Sequence, residues 1–480
     1  MPDGARDPAW AEWSTQAFAR ALTEARPVAL YLETRWSPPC ARFRRDVLSD
    51  PDVTQCLASR FVPIAVDADL RPDLAERYTS EGWPTFVALT PHAWPLAPLP
   101  TSGAPACARA LAAVAEAFDA RRDALLRSVP APPPPAGWSD PHDLDPLAIV
   151  TAWLDDWEAS GGERRASATP RALLAAIDRA ARARRDDLVD RGVGLLDRLA
   201  ASALRDADSG LWFRAAPADE AGWEPVQTLD DQAAWIAVEA AASAHRPSTG
   251  RTARLTASVR GIARAFAVQR GYRAARFVHG PADDATRRGF DESCDFDDRL
   301  FVDAQARLAA ALMRAGVSAQ ATAWIAGAID RLDDVVSAAY RRDGGVAHVL
   351  APEPRGRGLL GDQVAVAAAL LDAWEVSGRS AYLDAADELM QSTMRKFADP
   401  ASGALRDRIP TTAGAGDVGL LGQALQPPDS NAVAASTLVR IGAFRGDPGH
   451  HEAAHDLVSA AVSLADPADP MHPALLTLLA

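Results

Sequence analysis

Lysine and asparagine are almost missing from this chain: Lys396 and Asn431 are the only ones in 480 residues. Positive charge therefore rests on arginine, and it is outnumbered, with 50 Lys and Arg against 64 Asp and Glu and a formal net charge of −14. Neutralising phosphates requires clustered cations, so a nucleic-acid partner is excluded. Cysteine is scarce too. Cys40, Cys56, Cys107 and Cys294 are too few and too far apart to staple a chain of this size, which fits a reducing compartment. No apolar run reaches about 20 residues, and the start, Met1 to Asp7, is polar, so neither a membrane span nor a secretory leader is expected. The expected location is cytoplasmic.

What is present is enough apolar material for two cores, 48 % of residues, in a chain longer than the roughly 250–300 residues at which single cores stop growing. The segment Ser128–Gly137 (SVPAPPPPAG) contains five prolines and reads as a stiff polyproline-II spacer. The expected division is 1–128, a Pro-rich linker at 129–145, and 146–480. Before the linker, short apolar runs at Val28–Leu32, Phe61–Val66 and Thr85–Leu89 predict buried strands. Helical stretches at Ala41–Leu48, Val53–Ser59 and Asp73–Thr79 separate them, and Ala104–Leu126 closes the domain as an amphipathic helix. This alternation predicts an α/β sheet domain.

After the linker, strand signals nearly vanish and a repeat takes over. Asp231-Gln232-Ala233, Asp303-Ala304-Gln305-Ala306, Asp362-Gln363-Val364-Ala365 and Ser430-Asn431-Ala432 each open an Ala-rich helix, with starts 72, 59 and 68 residues apart. Each interval accommodates two helices and a return loop. Gly-containing segments at Asp208–Arg214, Asp343–His348 and Ser402–Asp407 predict β-turn excursions in those loops. Hairpins repeated in this way make an α/α toroid, with the Asp/Ser–Asn/Gln helices inside.

Trp36-Ser37-Pro38-Pro39-Cys40 follows the first strand and opens a helix, where thioredoxins carry Trp-Cys-Gly-Pro-Cys. That chemistry needs the first cysteine as a thiolate at a helix N-terminus, and Ser37 stands there instead. Cys40 occupies the resolving position and reads chiefly as a buried structural thiol. Gly82-Trp83-Pro84-Thr85-Phe86 matches the cis-proline segment of the same fold. Further matches are Trp13, Phe18, Asp46-Val47, Phe61 to Asp67, Arg71-Pro72-Asp73 and Leu89-Thr90-Pro91. Leu360-Gly361-Asp362-Gln363 and Pro428 to Ala434 match in the helical part. On these residues the chain resembles the DUF255 family over nearly its whole length. The resemblance implies an α/β thioredoxin-like N-terminal domain joined to an all-α, (α/α)6-barrel-like, six-hairpin C-terminal domain.

The departures carry as much weight. Intact members read Cys-His-Trp-Cys-His where this chain has Ser37, Cys40 and Ala41. A family segment reading His-Phe-Glu-Lys-Met-Leu-Tyr-Asp-Asn corresponds to Glu224–Gln232, where only Leu229 and Asp231 remain. The resemblance therefore predicts a redox-degenerate member.

For the barrel, helix capping is the plain reading of Asp231, Asp303, Asp362 and Ser430. Their convergence on one rim also makes Trp212, Asp231, Gln305, Asp362 and Asn431 candidates for holding a polar, carbohydrate-like ligand, with Trp212, Trp223 and Trp235 as stacking surfaces. Three readings stand side by side: a redox-inactive thioredoxin-like scaffold on a ligand-binding barrel, a carbohydrate-active enzyme using Asp230 or Asp231 with Asp362 for acid/base work, and a non-catalytic interaction protein. Whether the protein is an enzyme stays open, and the partner is a small polar ligand or a protein. No cofactor and no metal are expected. His451-Glu452-Ala453-Ala454-His455 fits the HExxH zinc pattern. It also parallels Asp384–Leu389 of the preceding hairpin, which makes it an ordinary outer helix. The acidic run Asp283–Arg299 lacks ordered calcium-loop spacing and reads as a solvated loop.

Overall fold

The computed structural model describes residues 8–79, 82–127, 145–159, 169–214, 224–280, 286, 289–351, 353–410 and 417–464. The Pro-rich segment and Trp223 lie outside the described residues. The chain forms two compact units: residues 1–134 together with 410–424, and residues 135–409 together with 425–480.

The N-terminal unit is a four-stranded sheet in the order β2-β1-β3-β4, made of β1 (Val28–Glu33), β2 (Val62–Asp67), β3 (Thr85–Leu89) and β4 (Pro95–Pro98). β1 runs parallel to β2 and antiparallel to β3, and β3 is antiparallel to β4. β1 is apolar and fully buried from Val28 to Leu32 because helices cover both faces. One face packs against α1 (Thr15–Glu24) and α4 (Pro72–Tyr78), through Phe18, Leu30, Ile64, Leu74 and Val87. The other packs against α3 (Pro51–Arg60) and α5 (Ala104–Arg127), through Tyr31, Leu57, Phe86 and Leu111. β4, which carries prolines at both ends, has no counterpart in the predicted strands. The expected helix at Ala41–Leu48 is two elements, α2 (Pro38–Phe43) and a wider π-turn at Arg44–Leu48.

The second unit is helical. Inner helices α7 (Thr169–Arg182), α9 (Leu229–His245), α12 (Val302–Ser318), α14 (Leu360–Ser377) and α16 (Pro428–Arg445) pack side by side in that order. Each is backed by the helix that follows it: α8 (Asp186–Ala201), α10 (Thr249–Ala265), α13 (Thr322–Ala339), α15 (Ser380–Phe397) and α17 (Pro448–Leu464). α6 (Pro146–Ala159) precedes the first hairpin, and α11 (Phe290–Ser293) is a single turn in a return loop. α9, α12 and α14 are buried on nearly every side, and their alanines let the backbones approach closely. The result is an (α/α)-barrel-like fold.

Residues 283–285 and 287–288 of the acidic run lie outside the described residues, and its C-terminal part is more than the expected solvated loop. Asp295–Asp297 is a strand paired with Ala275–Phe277, and Asp297 is buried against Arg299, whose Nε donates at 2.8 Å. Alternating charge had masked a strand that hides only its inward residue.

Candidate functional site

The repeated amides have a structural use. Gln232 accepts from the Trp212 N–H at 2.9 Å and donates to the Trp212 carbonyl at 2.7 Å. Gln305 does the same to Tyr272 at 2.9 and 2.6 Å, Gln363 to Val346 at 2.8 and 3.1 Å, and Asn431 to Leu405 at 2.8 and 2.9 Å. Four of the five inner helices, α9, α12, α14 and α16, thus clasp the backbone of the return loop before them, each satisfying one donor and one acceptor that would otherwise be buried without partners. Gly271 and Gly345 leave the space that this requires, because a Cβ at either would fall 2.9 or 2.6 Å from the glutamine Oε1. The candidates Gln305 and Asn431 are therefore committed to the protein itself. Trp212 is corrected too: it is fully buried and stacks on Trp235 at 4.0 Å and 8°, so neither ring offers a face to a ligand.

The clasps bring the helix starts together. Arg171 near the start of α7 bonds Asp230 in the first turn of α9, and Arg314 farther along α12 meets Asp178 of α7 at 2.7 Å, so these helices run parallel. Ser430 Oγ lies 3.9 Å from a Cβ placed on Gly361, which sets α16 beside α14.

At this rim the charged side chains form a connected run. Asp230 is gripped by Arg171 and by Arg307, whose Nε donates at 2.6 Å. Arg307 reaches on to Asp303 at 2.5 Å. Asp303, His348 and Asp362 then place one donor atom each within 4.8 Å of one another. His348 Nδ1 lies 3.1 Å from both oxygens of Asp362, and its ring packs on Phe301 at 5.1 Å. Beside Asp230, Asp231 accepts from Thr228 Oγ at 2.6 Å and faces Arg214 at 3.4 Å.

Accessibility sorts these groups. The side chains of Asp230, Arg307 and Arg214 are 36 %, 35 % and 28 % exposed, whereas Asp362 is 1 % exposed. Solvent reaches the Asp230–Arg307–Asp303 run, and the His348–Asp362 pair lies behind it. Burial opposes ionisation of Asp230, but Arg171 and Arg307 outweigh it and hold the carboxyl well below the ordinary range. Asp303 is likewise lowered, with Arg307 and His348 overcoming its burial, and Arg307 is raised by its two carboxylates. Asp231 goes the other way, because burial outweighs Arg214 and Thr228. Burial also pushes Asp362 up to about 6 despite His348.

A carboxylate held as firmly ionised as Asp230 is a poor general acid, and Asp362 is too buried to meet a ligand directly. His348 is buried too, but at 8 % exposed it is the outer member of the pair and the group suited to proton transfer, with Asp362 setting its tautomer and orientation. Asp303, His348 and Asp362 also have donor types that suit a divalent cation, although such an ion would compete with the charge of Arg307.

The repeat pointed to Asp231 and Asp362, but the sequence reading missed Arg307 and His348. Arg307 left a faint signal, standing one helical turn after Asp303. His348 left none, since it sits on the loop strand Gly345–Val349, 14 residues from its partner.

The remaining candidates lie elsewhere. His451 and His455 sit on α17, where His451 Nδ1 is 3.3 Å from the Asp447 carbonyl and His455 Nδ1 is 3.9 Å from Asp456. In the N-terminal unit Ser37 is the N-cap of α2, accepting from the Cys40 N–H at 3.4 Å, with Pro38 in the first turn. Cys40 is fully buried, and burial raises its thiol above the ordinary range. Trp36 is nearly buried and donates to Asp69 at 3.4 Å, and the Trp83–Pro84 bond is cis. Cys56 and Cys107 lie on α3 and α5, away from the motif. Among the described residues no helix is long and apolar enough to cross a membrane.

Several known proteins are similar to this chain. A sugar epimerase from a ruminal bacterium is similar in structure at 12 % identity and a TM-score of 0.49, over 61 % of this chain and 74 % of that one. Cellobiose 2-epimerase from Spirochaeta thermophila DSM 6192 is similar at 14 % identity and a TM-score of 0.48, over 61 % and 72 %. In sequence, human spermatogenesis-associated protein 20 is 29 % identical over 97 residues, covering 18 % of this chain. The chain spans 12 % of the length of that curated relative. Residues 3–131 match the family Thioredox_DsbH, described as "Protein of unknown function, DUF255". The strand order, the cis-Pro84 and the motif at the start of α2 all fall within this matched region, whose thioredoxin-like fold they define.

Proposed function

We propose that the helical unit binds a neutral, polyhydroxylated, carbohydrate-like ligand at its rim, and that His348 serves there as the acid/base group. The observation that carries this reading is the solvent-reached run Asp230–Arg307–Asp303, in which donors and acceptors alternate along one ledge. Vicinal hydroxyls both donate and accept, so a ledge of this kind can hold them by paired, charge-assisted hydrogen bonds. Arg171, Arg214 and Arg307 face Asp230, Asp231 and Asp303, so the ledge has no surplus charge to reward an anion or a cation. The thioredoxin-like unit contributes no dithiol chemistry, because Ser37 caps a helix where a nucleophile is needed and the Cys40 thiol is buried and protonated.

The test is thermal stabilisation by a panel of neutral mono- and disaccharides and their uronic-acid counterparts. Stabilisation by a neutral sugar that is lost in Arg307→Met and Asp303→Asn supports the reading. Stabilisation by uronic acids alone, or by no sugar at all, overturns it.

A further inference from the structure

The return loop between α15 and α16 sends its tip, residues 417–424, into the N-terminal unit. There Leu421 is 3 % exposed and joins the sheet-face core beside Tyr78, Val87, Leu89 and Ala93, with Val418, Leu420 and Trp83 packed around it. α4 is only seven residues long, so this part of the face is covered by a segment more than 300 positions away in sequence. The seat is specific. Arg77 donates to the carbonyls of Leu420 and Gln423, both at 2.9 Å, and the Leu420 N–H donates to the Tyr78 hydroxyl at 3.2 Å. That hydroxyl donates in turn to the Ala93 carbonyl at 2.8 Å. Gly419, at φ +58°, lies so close to Ala93 that an added Cβ would stand 2.2 Å from its carbonyl oxygen.

The base of the same loop is tied to the start of α14 within the helical unit. The Leu360 N–H donates to the Asp407 carbonyl at 2.7 Å, Ile409 N–H donates to Gly358 at 2.9 Å, and Asp407 N–H donates to Leu425 at 2.7 Å. Leu360 opens the turn that carries Asp362.

We propose that residues 418–423 are a built-in peptide ligand of the thioredoxin-like unit, and that their docking holds the loop base that fixes the first turn of α14 and hence the His348–Asp362 pair. In this arrangement the thioredoxin-like unit acts as a peptide-binding anchor for one rim loop. Its grip is backbone recognition by Arg77 and Tyr78 plus one apolar side chain, a mode that needs no thiol.

The experiment is site-resolved hydrogen exchange on the full chain, comparing the natural protein with Leu421→Asp and with Arg77→Gln. Arg77→Gln removes the two carbonyl contacts and leaves the sheet core untouched, so it remains informative if Leu421→Asp fails to fold. The reporter in the N-terminal unit is the Ala93 N–H, which donates to the Thr90 carbonyl at 2.8 Å beneath the docked segment. Expected is at least tenfold faster exchange at Ala93 and at Leu360 and Ile409, with α9 and α12 unchanged. A synthetic peptide of residues 417–424 should bind the Leu421→Asp variant and restore the Ala93 protection. Unchanged exchange at Ala93 in Arg77→Gln overturns the docking. Faster exchange at Ala93 with Leu360 and Ile409 unchanged overturns the coupling to the rim.

Discussion

Replacing Gln363 with methionine keeps the length and apolar stem of the side chain and deletes its amide. The glutamine takes the Val346 N–H at 2.8 Å and gives its own N–H to the Val346 and Leu359 carbonyls at 3.1 and 3.0 Å. Gln363 and Val346 are 2 % and 1 % exposed, so water cannot step in. An orphaned buried backbone group costs about 1–3 kcal/mol, and two are orphaned at Val346, which gives a loss of about 2–6 kcal/mol for Gln363→Met. Gln363→Glu keeps the acceptor for Val346 N–H but sets a carboxylate oxygen against two carbonyls in a dry site, and it should cost at least as much. The assays are urea denaturation followed by far-UV circular dichroism and exchange of the Val346 amide, which should quicken more than tenfold. His348 lies two residues along the same strand, so ligand stabilisation at the rim should fall as well. A midpoint corresponding to less than about 0.5 kcal/mol of change, with Val346 exchange unaltered, would refute the claim that these amides clasp the loops.

Asp362 offers a pH test whose sign is fixed by its burial. Its carboxyl rises from 3.8 to about 6 on folding, so the folded chain holds the proton more tightly than the unfolded one. This contribution favours folding below pH 4 and is lost as pH rises to 6, on the order of 3 kcal/mol in all. Asp362→Asn should flatten the stability profile between pH 4 and 6 relative to the natural chain, and parallel profiles would contradict it. In catalysed insulin reduction with dithiothreitol, the natural chain should be inactive, and turnover that disappears in Cys40→Ala would refute the loss of dithiol chemistry. Ser37→Cys tests whether the scaffold still supports that chemistry, and activity confined to this variant is the expected result. Trp212→Ala should cost about 3–5 kcal/mol as a core deletion, and an unaltered midpoint with weakened sugar binding would return Trp212 to the ligand site.

Much of the architecture was legible because it rests on local pattern. β1 and β3 carry apolar runs at Val28–Leu32 and Phe86–Leu89, and the helix starts repeat an Asp or Ser followed within two residues by an amide. The purpose of that signature was not legible. An amide after a carboxylate at a helix start looks the same whether it faces a ligand or a neighbouring backbone, and only the position of Trp212, Tyr272, Val346 and Leu405 decides between them. His348 was hidden for a related reason, since its partner is set by strand pairing with Arg355–Arg357 and by the clasp on Val346, neither of which has a fixed spacing. Nor does any sequence pattern join residues 417–424 to a sheet that ends at Pro98. Their apolar tip is too short to carry a periodicity.

Because each amide grips main-chain atoms rather than a particular side chain, the rim loops are free to drift. The gripped residues, tryptophan, tyrosine, valine and leucine, differ in every hairpin, and they lie 20, 33, 17 and 26 positions ahead of the gripping residue. A loop can be lengthened, shortened or rewritten and still be seated, provided one residue returns to the latch in extended form. The barrel is thereby a chassis with interchangeable cassettes. New chemistry such as an imidazole on a loop strand can be tried at the rim without renegotiating the helices beneath it.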